Sequence, residues 1–155
     1  MKIETKLGKI AEIESEALAI GLIEGQGLTK EVGNLDKKLN GAISQLIKKG
    51  DFTGKLNQTA VLYPGDFETR RIILVGLGKR EKFNLDKIRQ AAGTVYKKAK
   101  ELKIKNYTSL LYGKGQKGVK LQECAQAVTE GTFFPLIILT SIKPRGKRSC
   151  LKLKV

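Results

Sequence analysis

"IILVGLGKREKFNLDK", residues 72–87, is the stretch from which the fold can be read. A run of Ile, Leu and Val ends in Gly76 and Gly78, charged residues follow, and Asn84 opens an amphipathic run. Strand, glycine turn, helix is also the order of a phosphate-binding loop, so the corner either holds a nucleotide or only turns. A dinucleotide fingerprint needs a third glycine for close helix packing, and Glu81 occupies that place. A Walker loop needs Ser or Thr after its Gly-Lys pair, but Gly78-Lys79 is followed by Arg80. The helix also begins late, at Asn84, so its first amides are not aimed from the glycine turn. Local chemistry favours a plain strand-to-loop corner.

On either side the periods alternate. Lys2–Lys6 reads as a first strand. "ALAIGLIE" from Ala17 is apolar at consecutive positions, as in a strand covered on both faces. From Leu35 the apolar positions Leu35, Leu39, Ile43, Leu46 and Ile47 follow helical spacing, stopped by Lys48, Lys49 and Gly50. "QTAVLYP" (58–64) is a third strand and Arg71–Leu77 a fourth. Leu85, Ile88, Ala92, Val95, Ala99 and Leu102 define a helix capped by Asn84, whose other face carries Lys87, Arg89, Lys97, Lys98 and Lys100. "NYTSLLYG" (106–113) reads as a fifth strand. A glycine- and lysine-rich loop then leads into a helix from about Val119. This alternation predicts an α/β fold with a mixed or largely parallel sheet between helical layers.

The chain has 155 residues, 41% of them hydrophobic and 29% charged, which fits one globular domain. No stretch reaches the ~18 apolar residues of a membrane span, and the charged start "MKIETKLGKIAEIESEALAIG" has no signal core. A cytoplasmic protein is expected. Histidine is absent and the two cysteines, Cys124 and Cys150, form no CxxC pair, which argues against structural zinc and imidazole catalysis. Cys124 reads as a small buried hydrophobe. The net charge is +15; six of those charges lie in residues 137–155, which leaves +9 on the body. Such a body could attract polyanions, although lysine-rich surfaces also serve thermal stability.

"DFTGKLNQTAVLY…RRIILVGLGKREKFNLDKIRQAAG", continuing to "ECAQAVTEGTFF", closely resembles the N-terminal domain of the leucyl aminopeptidases, the M17 metallo-exopeptidases. In that family a DFxGKxxQT segment precedes the LVGLGK strand, a helix with LRxAAG follows, and AxAxxEG lies on the last helix of the domain. The match runs in order from about residue 15 to residue 134. It implies a three-layer α/β/α sandwich, macro-domain-like, from a cytoplasmic parent that removes N-terminal residues from peptides, usually as a homo-hexamer. Catalysis in the family belongs to a C-terminal domain holding two divalent metal ions, zinc or manganese. The NTDAEGR signature of that domain has no counterpart here. No catalytic, cofactor-binding or metal-ligating residue is therefore assigned, and the chain is expected to be inactive alone.

After "TEGTFF" the resemblance stops. The family continues toward an FDxYK linker, whereas this chain runs "PLIILTSIKPRGKRSCLKLKV". With suitable synonymous codons for Ile137–Lys152, a two-base shift of frame reads "NFDKYKTKRKEELFE", which contains that linker. Residues 1–134 are thus expected to form the domain, and 135–155 an aberrant basic tail outside the native fold, its last ten or so residues disordered or held only by contacts of convenience.

Two other functions stay open at this stage. The lysine face could bind nucleic acid; against this, only Tyr96, Tyr107 and Tyr112 offer rings near the lysines and no DNA-reading motif appears. The glycine loops Gly25–Gly27 and Gly113–Gly118 could rim a nucleotide or ADP-ribose pocket, as a macro-like fold implies. The carboxylates Glu24, Asp51, Asp66 and Glu81 sit beside turns and form no acid–base pair.

Overall fold

The computed structural model describes residues 2–6, 15–65, 69–113, 116, 118–133 and 150–154. Six strands form one sheet: β1 (Lys2–Lys6), β2 (Ala17–Glu24), β3 (Thr59–Leu62), β4 (Arg71–Lys79), β5 (Asn106–Leu110) and β6 (Cys150–Lys154). Their order is β1-β6-β5-β2-β4-β3. β2 pairs in parallel with both β4 and β5, whereas β3 runs antiparallel to β4 and β6 antiparallel to β5 and β1. The sheet is therefore mixed, with a parallel centre.

Side chains of a strand alternate between faces, and here both faces are covered. From β2 and β4, Ala17, Ala19, Ile73, Val75 and Leu77 point to one layer, made by α3 (Leu85–Glu101) and α4 (Leu121–Phe133). Leu18, Ile20, Leu22, Ile72 and Leu74 point to the other, where Val32, Leu35 and Ile43 come from α1 (Lys30–Lys38) and α2 (Ala42–Lys49). This two-sided cover is why β2 and β4 read as continuous apolar runs. The result is the expected α/β/α sandwich. Each fully buried Leu, Ile or Val contributes about 1.5–3 kcal/mol, so these two stripes carry much of the stability.

One expected helix proves to be two. The apolar spacing from Leu35 to Ile47 is interrupted at Asn40 and Gly41, both left-handed (φ 53° and 76°). The buried Asp36 carboxylate stabilises the break. Its Oδ1 accepts from the amides of Ile43 (2.8 Å) and Ser44 (3.3 Å), and its Oδ2 accepts from the Ser44 hydroxyl. Asp36 thus caps α2 from within α1. It satisfies helix-start amides that would otherwise be unpaired.

Cys150–Lys154, within the tail expected to stand apart, is placed by its backbone between β1 and β5 and pairs with both. Residues 134–149, including the apolar start of that tail, lie outside the described residues.

Candidate functional site

The corner after β4 is closed by the chain itself. Residues 51–58 run alongside the end of β4 and extend the β3 pairing. The Gly76 amide donates to the Gln58 carbonyl (2.8 Å), the Asn57 amide to the Gly76 carbonyl (3.0 Å), and the Gly78 amide to the Gly54 carbonyl (3.0 Å). The approach is so close that a Cβ on Gly76 would stand 1.8 Å from the Lys55 carbonyl oxygen. Gly78 and Gly54 are also left-handed, with φ of 77° and 83°. The Gln58 side chain fastens the loop: its Oε1 accepts from the Thr53 and Gly54 amides and the Thr53 hydroxyl, and its Nε2 donates to the Asp51 carbonyl. Amides that would hold a phosphate are therefore already taken by protein carbonyls. Gly76 and Gly78 turn a corner around residues 51–58. Glu81 lies on an exposed 3-10 turn, Arg80–Lys82, and Asn84 caps α3 by accepting from the Lys87 amide (3.0 Å).

The helical half of the pattern is used in the same way. α3 and α4 cross where a Cβ on Gly131 would lie 2.1 Å from the Arg89 carbonyl oxygen, and one on Gly93 would lie 3.1 Å from the Gly131 carbonyl oxygen. Arg89 Nε donates to Glu130 Oε2 at 2.6 Å across this crossing. Partial burial raises the Glu130 pKa, but hydrogen bonds from Gln126 and Arg89, with the Arg89 charge, outweigh it and hold the carboxyl below its usual range.

Cys124 is fully buried, and desolvation, aided by the Glu123 charge, pushes its thiol up to about 11. It is a packing residue, as its sequence setting suggests. The three tyrosines considered as stacking platforms are all buried: Tyr96 is 7% exposed, Tyr107 1% and Tyr112 2%. Burial leaves none of the three rings open for a base to stack on. Tyr112 packs under Gly21, where a Cβ would be 2.6 Å from its ring. Desolvation drives the Tyr107 and Tyr112 phenols far above the usual tyrosine range. Thr132 and Ser109 lie near the two hydroxyls without completing a hydrogen bond to them. On the lysine face, Lys98 pairs with Glu101 at 2.5 Å, and Lys100 lies 5.6 Å from the centre of the Tyr96 ring.

The two glycine loops proposed as a pocket rim touch each other, through Gln116 Nε2 donating to Gln26 Oε1 at 3.4 Å. Among the described residues Glu24, Asp51 and Glu81 belong to no group of three or more ligating side chains. Asp66 lies outside the described residues. Among the described residues no group of three or more His, Cys, Asp or Glu side chains could hold a metal ion, and no helix is long and apolar enough to cross a membrane. The structurally important carboxylate is Asp36. The Asn40-Gly41 pair after it is a turn signal that could have located it.

A cleft of about 230 Å³ does remain beside the corner. Its floor is Leu56, Leu77 and Gly78, and its rim is Glu24, Lys79, Lys82 and Lys87. It opens where the β2–β4 ladder slips register, with Leu22 opposite Gly76 but Glu24 opposite Lys79.

Comparison with known proteins gives these features a family. Residues 19–134 match the profile described as "Cytosol aminopeptidase family, N-terminal domain". A probable cytosol aminopeptidase of Rippkaea orientalis is 36% identical over 141 residues, covering 90% of this chain and 28% of the relative. One from Gloeothece citriformis is 45% identical over 92 residues, covering 58% and 19%. The chain thus spans well under a third of the length of these relatives. Among solved structures, a mutant of tomato leucine aminopeptidase superposes with a TM-score of 0.67 at 23% identity, covering 92% of this chain and 29% of that one. The macrodomain of Mycobacterium tuberculosis DarG gives 0.63 at 19% identity, covering 83% and 88%. The latter two likenesses establish a macro-like fold. The profile match, extending over most of the chain and including the close-packed glycines described above, shows that this chain belongs to the cytosol aminopeptidase family and corresponds to its N-terminal domain.

Proposed function

We propose that this chain is a non-catalytic scaffold module of a metal-dependent aminopeptidase. The observation that carries the reading is how the family-pattern residues are used: Gly76, Gly78 and Gln58 hold one loop, and Gly93, Gly131, Arg89 and Glu130 hold one helix crossing. In the parent, the module would support subunit arrangement and access to an active site built by a different domain. There, two divalent ions, zinc or manganese, would act on peptides within a cytoplasmic homo-hexamer. The test is incubation of the purified chain with leucine p-nitroanilide and Mn²⁺ or Zn²⁺. No nitroaniline release and no stoichiometric metal retention are expected. Metal-dependent turnover would overturn the reading.

The same proposal draws the module boundary after residue 134, where the family match ends. A chain stopped at that residue should keep a cooperative urea transition. Loss of the transition would make β6 an integral strand and move the boundary to the end of the chain.

A further inference from the structure

We propose that the lysine-rimmed cleft at the carboxyl ends of β2 and β4 binds a small phosphate-bearing molecule with a compact apolar part. Lys79, Lys82 and Lys87 face a single acid there, Glu24. Among the described residues none of the three ammonium groups has an ion-pair partner. The cleft therefore carries two positive charges in excess, matching the dianion of a phosphate monoester. Like charges around one cleft repel, and an anion seated among them replaces that repulsion with attraction.

Two further features narrow the ligand. The floor contributed by Leu56 and Leu77 is apolar, so it favours an organic phosphate over the bare ion. The volume of about 230 Å³ is below the ~300–1,000 Å³ of clefts that enclose drug-sized ligands, which favours a compact ligand. Recognition would come from ammonium groups and not from the chain's amides, because the Gly78 amide is held by Gly54 and the Lys87 amide by Asn84. Point-charge recognition of this kind is salt-sensitive and tolerant of phosphate geometry. The site is thus different in kind from the glycine cradle that the sequence first suggests. It also does not depend on the peptidase reading.

The test is an NMR amide titration of the full chain at constant ionic strength with phenyl phosphate, inorganic phosphate and sulfate. Saturable shifts centred on Gly78, Lys79 and Lys82 are expected, with phenyl phosphate at least about threefold tighter than inorganic phosphate because of the leucine floor. Lys82→Glu should weaken phenyl phosphate at least about fivefold, and Lys79→Gln should weaken it in the same direction. Lys97→Glu, ten residues further along α3 and about 15 Å away, should change it less than twofold. Shifts that spread over all exposed lysines without saturating, equal affinity for the two phosphates, or equal losses from Lys82→Glu and Lys97→Glu would each overturn the proposal.

Discussion

Adding one methyl group at Gly76 should unfold the corner that the sequence makes look like a nucleotide site. In Gly76→Ala the new Cβ would sit 1.8 Å from the Lys55 carbonyl oxygen, 2.6 Å from the Gly54 carbonyl carbon and 2.7 Å from its oxygen. All three are backbone atoms, so no rotamer change relieves the clash, and residues 54–58 must withdraw by roughly 1.5 Å to reach ordinary van der Waals distance. That withdrawal breaks the Gly76–Gln58, Asn57–Gly76 and Gly78–Gly54 backbone hydrogen bonds. At about 0.5–1.5 kcal/mol each, the loss is about 1.5–4.5 kcal/mol, or about 5–15 °C in Tm for a chain of this length. Urea denaturation followed by far-UV circular dichroism measures it, provided the transition is two-state. Gly33→Ala is the matched control. It lies inside α1 with nothing within 4 Å of the added methyl and should stabilise by about 0.5–1 kcal/mol. A Gly76→Ala chain within about 0.5 kcal/mol of wild type, well below the hydrogen-bond loss, would refute the close-approach account of this glycine.

Three other outcomes follow from the same geometry. Gly131→Ala places a Cβ 2.1 Å from the Arg89 carbonyl oxygen and should cost about 1–3 kcal/mol by forcing α3 and α4 apart, read as a lower urea midpoint; an unchanged midpoint would show that the helices can separate freely. Asp36→Ala strips the Ile43 and Ser44 amides of their acceptor and should cost about 1–3 kcal/mol; Asp36→Asn, which keeps an acceptor oxygen, should recover part of that. The remaining outcome is a pH profile with two limbs. The depressed Glu130 carboxyl contributes stability above the ordinary glutamate range, lost as pH falls below about 4. That limb is small because the pair is partly exposed, and it should vanish in Glu130→Gln. The raised Tyr107 and Tyr112 phenols contribute stability that is complete below about pH 10 and falls by up to about 1.4 kcal/mol per tyrosine per pH unit above it. Tyr112→Phe should flatten the alkaline limb, and a limb unaffected by that change would sink the assignment.

Much of the fold is legible along the chain because it is written in short periods. Consecutive apolar residues in β2 and β4 specify strands covered on both faces. The three- and four-residue steps from Leu85 to Leu102, with Asn84 ahead of them, specify α3 and its start. The ordered motifs specify the family, and the departures from GxGxxG and Walker spacing already argue against a phosphate cradle at Gly76. None of these features depends on contacts between distant residues, so local patterning suffices.

Tertiary structure alone decides the rest. It shows that Gly76 is small to admit the Lys55 carbonyl, that Gly131 is small to admit Arg89, and that Tyr107 and Tyr112 are buried while Lys97 is exposed. The division of α1 from α2 rests on Asp36 reaching seven residues forward, and the place of Cys150–Lys154 between β1 and β5 joins opposite ends of the chain. The lysines of the cleft meet Glu24 only because β2 and β4 are neighbours in the sheet. The physical reason is common to all of them: side-chain period is a property of one segment, whereas close approach is a property of two segments brought together by the fold, and neither carries the mark of the other in its own sequence.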